Sequence, residues 1–137
     1  KQAIDLKSVS FEDPVPKAQI PSLMAESDAI LLSLRDVPLF SYGVSPNKLY
    51  DAYAIGRPVI TTVAGAINQE VEEHGLGVTA SPGDPEALAA AILRLAQMPK
   101  CERQAMGSRG THLARTTYSR QRINGQYDSV LREVINR

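Results

Sequence analysis

Apolar positions along the chain fall into short runs without alternation, separated by stretches in which they recur every three or four residues. That pattern predicts strands and helices taking turns. After a turn-like start, Val9-Ser10-Phe11 reads as a first strand. Over 17–26, Ile20, Leu23 and Met24 stand at helical spacing, and Pro21 is compatible with a short helix because a first-turn N–H has no intrahelical partner to lose. Ala29-Ile30-Leu31-Leu32-Ser33-Leu34 lacks alternation, as a parallel strand covered on both faces requires, and is expected to be central. The stretch 35–45 reads as a loop. Ser45-Pro46-Asn47-Lys48 then opens a helix with Pro46 at its first position, Leu49, Ala52 and Tyr53 facing inward and Ile55 at the margin.

Gly56-Arg57-Pro58 stops that helix, and the β-branched run Val59-Ile60-Thr61-Thr62-Val63 follows as a strand. Ala64-Gly65-Ala66 leads into a helix over 67–74 that ends at Gly75, and Gly77-Val78-Thr79 is a short strand. Asp84 as N-cap and Pro85 at the first position mark the clearest helix start in the chain. Its helix, 85–98, carries Leu88, Ala91, Ile92 and Leu95 on one stripe, and Pro99 closes it. Over 101–136, Met106, Leu113, Tyr118, Ile123, Tyr127, Val130, Leu131 and Val134 recur at helical intervals and predict one or two terminal helices. The alternation implies an α/β fold, a Rossmann-like parallel sheet flanked by helices, with ligands outside the carboxyl ends of its strands. Loops 35–48 and 64–67 are therefore where chemistry is expected.

Composition narrows the classes. With 137 residues, 43% hydrophobic and 22% charged, the chain suits one globular domain with its own core. Fifteen basic and fifteen acidic residues cancel, so no global field draws it to nucleic acid or an anionic membrane, and phosphate binding must be local. A single cysteine, Cys101, rules out an internal disulfide and a Cys-rich metal site and fits a reducing compartment. No apolar run approaches the ~20 residues of a membrane-spanning helix. The chain opens on Lys1 and reads as a piece of something longer.

The densest chemistry lies at Ser45-Pro46-Asn47-Lys48, where free backbone amides, the positive end of a helix dipole and an ammonium group converge. Such a helix start suits a phosphate, and equally suits a plain cap with a solvated lysine. Asp51, one turn on, can accept hydrogen bonds from a ribose diol, or favour the helix terminus and pair with Lys48. Glu70 lies near the cleft or, with Glu72 and Glu73, on a solvated helix face. Tyr42, Tyr50 and Tyr53 can stack on a base, although core packing accounts for the helical pair. His74 and His112 stand at a helix end and in a polar stretch, outside the candidate site. The arginines from Arg103 to Arg122 suit a packed helix or an acidic surface. No G-x-G-x-x-G fingerprint of dinucleotide binders is present.

Residues 45–60, Ser-Pro-Asn-Lys-Leu-Tyr-Asp-Ala-Tyr-Ala-Ile-Gly-Arg-Pro-Val-Ile, resemble the P-x-K-L-x-E-x-x-A-x-G-x-P-V-I signature of the group 1, family 4-like retaining glycosyltransferases. Gly77-Val78 followed by Pro82-Gly83-Asp84-Pro85-Glu86-Ala87-Leu88 is similar to that family's next landmark. Val9-Ser10-Phe11, Ile20-Pro21 and Ala25-Glu26-Ser27-Asp28-Ala29 match its lead-in, so the resemblance covers almost the whole chain. It implies that residues 1–137 are part of the C-terminal, donor-binding domain of a two-domain GT-B enzyme, with terminal helices from about 101. The full-length enzyme would move a sugar, retaining configuration, from a nucleotide donor to a glycan or lipid-linked acceptor in bacterial surface polysaccharide assembly. The Pro-Asn-Lys subset suggests an N-acetylated or amino-deoxy sugar on UDP.

No cofactor or metal is implied beyond the donor, and no nucleic acid partner. The implied partner is an N-terminal acceptor domain. The implied location is the cytoplasm, at the inner face of the membrane, with peripheral membrane association and homo-oligomerisation both compatible. Residue by residue, Asp51 matches the second acid of the family's acidic pair, with Asp in place of the usual Glu, and belongs near the ribose hydroxyls. The first acid falls at Gly43, where this chain has none. The backbone of Ser45, Pro46, Asn47 and Lys48 matches the segment that meets the diphosphate and donor sugar. The family's basic Arg and Lys pair, from earlier in the domain, has no match, so no catalytic residue is assigned and the segment alone is expected to be inactive. Two other classes stay open: a module binding some other nucleotide without sugar transfer, and a structural or regulatory interaction domain.

Overall fold

Branching at Cβ favours extended backbone, and Val59, Ile60 and Thr61 form the middle strand of a three-stranded parallel sheet. The computed structural model describes residues 9–136, the side chain of Ser41 excepted, so the expected turn before Val9 lies outside the described residues. Strands β1 (Ile30–Leu32), β2 (Val59–Thr61) and β3 (Gly77–Thr79) lie in the order β1-β2-β3, with Ile30 opposite Val59 and Val59 opposite Gly77. A 3-10 turn (Lys17–Gln19) and α1 (Ile20–Glu26) precede β1. Next come α2 (Pro38–Tyr42) and α3 (Asn47–Ile55) before β2, α4 (Ala66–Glu73) before β3, and α5 (Pro85–Gln97), α6 (Lys100–Thr116) and α7 (Arg120–Ile135) after it.

Alternation along the strands divides the core. Ile30, Leu32 and Val59 face α3 and α4 and pack with Leu49, Ala52, Tyr53, Ile67 and Val71. Ile60 and Val78 turn the other way, onto Ala91 and Leu95 of α5. The chain is thus a Rossmann-like parallel sheet flanked by helices. Local signals set the boundaries. Gly56 ends α3 in the left-handed region (φ 78°), its N–H reaching the Ala52 and Tyr53 carbonyls. Asp84 caps α5 by accepting a 2.8 Å hydrogen bond from the Ala87 amide, with Pro85 in the first turn.

Several expectations are corrected. Val9-Ser10-Phe11 is not a strand; among the described residues no neighbouring strand pairs with it, and Phe11 is 89% exposed. Strand β1 lies at the edge of the described sheet rather than its centre. Leu31 is 41% exposed there, because α5 centres on Ile60 and Val78 and leaves it open. The 35–45 stretch is not all loop: α2 forms within it, with Pro38 at its start and only five residues, too few for a periodic signal. Pro46 is the N-cap of α3, extended at φ −78° and ψ 124°, not its first helical residue. The tail is two helices, but α7 buries none of its residues, so Tyr127, Val130, Leu131 and Val134 share helical spacing without a core to meet.

Helix α6 packs where glycine lets it. A Cβ on Gly107 would stand 2.0 Å from the Gly56 carbonyl oxygen, and one on Gly110 3.3 Å from Tyr53 Cα. Thr111 Oγ1 donates to the Tyr53 carbonyl at 3.3 Å, and the Arg109 guanidinium donates from Nε and Nη2 to the Gly75 carbonyl at 2.9 and 2.7 Å. Gly107→Ala should therefore cost at least ~2 kcal/mol of stability in denaturant unfolding, the upper part of the usual range for overpacking, since backbone rather than a flexible side chain must move. Gly125→Ala in α7, with nothing within 4 Å of its Cβ, should be neutral or stabilising. Equal effects at the two positions would contradict the packing described.

Candidate functional site

In a parallel sheet every strand presents its carboxyl end to the same side, so the segments after β1, β2 and β3 meet there. Two adjoining cavities of about 340 and 420 Å³ occupy that end. Arg35, Asp36 and Thr62 line both, with Ala64 and Pro82 on the first and Ser81 on the second. Thr62 Oγ1 donates to Ser33 Oγ at 3.2 Å, tying the ends of β1 and β2 together. Loops 35–48 and 64–67 do reach this end, but through Arg35, Asp36, Pro38, Phe40 and Ala64 rather than the residues singled out by motif. Arg35 and Asp36 make no hydrogen bond or ion pair among the described residues. Sequence reasoning places them in the 35–48 loop where chemistry is expected but does not single them out.

The motif residues stand beside this cleft and are divided. Gly43 has φ 146°, which favours glycine, and open space around it, and it joins α2 to the segment before α3. Pro46 caps α3 without a side-chain hydrogen bond; Leu49 N donates to the Pro46 carbonyl at 3.0 Å, leaving the Asn47 and Lys48 amides without intrahelical acceptors. Asn47, Lys48 and Asp51 are exposed. Lys48 and Asp51 line a third cavity, about 410 Å³, bounded by Ile20, Leu23, Ile30 and Leu31. No ion pair joins Lys48 to Asp51. Ser45 Oγ donates to the Tyr50 hydroxyl at 3.2 Å, so this hydroxyl is engaged within the segment.

Behind the segment lies a cluster that motif reading missed. Tyr53 OH donates to Glu70 Oε1 at 3.1 Å, and Tyr118 OH donates to Glu70 Oε2. Tyr50 meets both rings edge-on, 6.2 Å from Tyr53 at 86° and 4.8 Å from Tyr118 at 61°. Glu70 is therefore neither a cleft residue nor part of a solvated face. Its spacing from buried Ile67, three residues earlier, is the available signal, because i+3 neighbours share a helix face. Tyr53 is core, Tyr50 is half-buried in this cluster, and Tyr42 is 90% exposed. His74 and His112 line a separate cavity with Arg109 at the amino end of the sheet.

A parallel α/β sheet with an open cleft at its strand ends defines the class: a Rossmann-like α/β layer. Residues 1–98 match the family model described as glycosyl transferases group 1, and the chain belongs to that family. It is similar to the amylovoran biosynthesis glycosyltransferase AmsK of Erwinia amylovora, 36% identical over 93 residues, covering 67% of this chain and 22% of that protein. It is also similar to WcaL of Salmonella typhimurium (strain LT2), whose name assigns it provisionally to colanic acid biosynthesis as a glycosyltransferase. There the identity is 26% over 120 residues, covering 87% of this chain and 29% of WcaL. The chain thus spans less than a third of the length of either relative. No solved structure matches it significantly. Among the described residues no helix is long and apolar enough to cross a membrane.

Burial raises the Tyr53 hydroxyl far above the ordinary tyrosine value near 10, and the neighbouring Glu70 carboxylate pushes in the same direction. Tyr118 is raised likewise, by burial first and then by its hydrogen bond to Glu70. Both groups stay protonated in the folded chain at a pH where the unfolded chain has begun to ionise. Their contribution to stability is complete below about pH 10 and declines as pH rises past it. In a spectrophotometric titration of the five tyrosines, Tyr53 and Tyr118 should gain phenolate absorbance only together with loss of the folded state. Five tyrosines titrating as one group near pH 10 in a folded chain would contradict the cluster.

Proposed function

We propose that this chain is the donor-binding part of a retaining, family 4-like GT-B glycosyltransferase, its C-terminal domain, acting with a separate acceptor-binding domain. The observation that carries the proposal is the 45–60 signature, which lies inside the matched region and supplies the open amide end of α3 together with Lys48 and Asp51. Two amides without intrahelical acceptors at the positive end of a helix offer hydrogen bonds to a diphosphate, and Lys48 adds a compact charge. Asp51, one turn along, is free of Lys48 and able to accept from the ribose hydroxyls. Gly43 leaves space where the family's first acid would stand, and the backbone of Ser45, Pro46 and Asn47 completes the contact.

The reaction breaks the bond from the anomeric carbon to the diphosphate oxygen and forms one from that carbon to an acceptor hydroxyl. The nucleoside diphosphate leaves with the electron pair, and the acceptor's proton is released. Stabilising the charge that develops on the diphosphate supplies most of the acceleration. AmsK and WcaL bear names tied to amylovoran and colanic acid biosynthesis, which supports a polysaccharide or lipid-linked acceptor. The Pro-Asn-Lys text favours a UDP-linked N-acetylated or amino-deoxy sugar. The 137-residue segment alone, without an acceptor domain or the family's basic pair, is inactive in this proposal.

Titration of the full-length protein with UDP, UDP-N-acetylglucosamine and GDP, followed by amide chemical shifts, tests it. Shifts should cluster at 43–51 and favour the uridine ligands. Lys48→Ala should raise Kd about tenfold, the scale of one charge-assisted hydrogen bond. A folded protein whose 43–51 amides stay still under all three ligands, with Lys48→Ala without effect, would overturn the donor assignment in favour of an interaction domain.

A further inference from the structure

The cluster behind α3 ends at the segment just discussed. Glu70 divides its two carboxylate oxygens between Tyr53 and Tyr118, residues 17 and 48 positions away. The two rings so held bracket Tyr50 edge-on, and the Tyr50 hydroxyl accepts from Ser45, the residue immediately before the Pro46 cap. The buried end of this chain of contacts packs the core. Its outer end runs from half-buried Tyr50 to exposed Ser45, at the approach to the open amides of Asn47 and Lys48.

We propose that Glu70 is a positioning residue for donor binding: through the Tyr53, Tyr118 and Tyr50 rings it holds Ser45, and with it the open amide end of α3, in the conformation that a nucleotide diphosphate meets. The inference rests on the donor reading of the 43–51 segment. A ligand that docks on backbone amides must fix the residues that carry them, so a segment already held loses less freedom on binding. Tyr118 lies beyond α6, and the Gly107 and Gly110 contacts that seat α6 on α3 also deliver Tyr118 to Glu70. The terminal part of the chain thereby takes part in shaping a segment some seventy residues earlier.

Glu70→Gln keeps size but cannot accept from both tyrosines without turning a donor amide on one of them. Tyr50→Phe keeps the ring packing and removes only the hydroxyl that Ser45 meets. In the full-length protein each should raise donor KM about three- to tenfold, the range of one or two hydrogen bonds, while acceptor KM and kcat stay near wild type. Amide exchange at 44–48 in the ligand-free protein should speed up in both. Ser45→Ala added to Glu70→Gln should cost donor binding nothing further, because both remove the same support.

A change in melting temperature alone, with donor KM and 44–48 exchange unchanged in Tyr50→Phe and Glu70→Gln, would overturn the positioning role. Additive losses from Ser45→Ala and Glu70→Gln would do so too. A wild-type protein that binds no nucleotide sugar would overturn the donor reading and this inference with it. Wild-type binding left intact by every variant would overturn the inference alone.

Discussion

Where Gly107 meets Gly56, the backbones of α6 and α3 touch with no side chain between them, and the geometry behind the candidate site depends on that distance. A helix interior is a costly place for glycine, since each one gives up helix stability relative to alanine. The cost is offset by proximity. At this separation Thr111 reaches the Tyr53 carbonyl, Arg109 closes the end of α4 at Gly75, and Leu113 and Ala114 join the core under α3 and α4. Tyr118 then arrives within reach of Glu70, completing a carboxylate with two tyrosine donors. A partly buried acceptor that serves two hydroxyl groups contributes most when both arrive, so the spacing of two helices becomes a condition on one side chain.

The polar groups around α3 divide between two sides of one strand. Arg35 and Asp36, following β1, face the cavities at the strand ends, while Lys48 and Asp51 face the cavity built on Ile30 and Leu31. The loop that leaves β1 and returns as α3 is shared by both. A cationic and a carboxylate group therefore stand on each side of that loop. The apolar wall of the Lys48 cavity follows from the edge position of β1, which leaves Leu31 uncovered by α5.

What could be read along the chain was what is decided locally. Asp84 and Pro85 start α5, Gly56 ends α3, and Val59, Ile60 and Thr61 are extended because their own chemistry requires it. The parallel α/β class follows from the alternation of such segments, and the family resemblance from three landmarks in order, the lead-in over 9–29, the sixteen residues 45–60 and the stretch from Gly77 to Leu88. Contacts made at a distance were not legible. Gly107 and Gly110 look like helix weaknesses until the facing backbone, fifty residues earlier, is known. Glu70 looks like one of three surface acids until Tyr53 and Tyr118 are placed beside it. Val9 and Phe11 have strand composition, yet a strand is a pairing and theirs is missing from the described sheet. The motif located Lys48 and Asp51 correctly on one helix, but not the cavity wall of α1 and β1 that they share.

Helix α7 differs in kind from α6. Ser119 caps it, Arg132 pairs with Asp128 along its surface, and none of its residues is buried, so contacts along its own exposed surface rather than a core hold it. Exposed pairs of this sort contribute a few tenths of a kcal/mol, about the helix–coil margin of a 16-residue segment. Its opening is therefore decoupled from unfolding of the sheet. The helix can fray and reform while β2 stays closed, which makes it a separate cooperative unit at the low end of the stability scale.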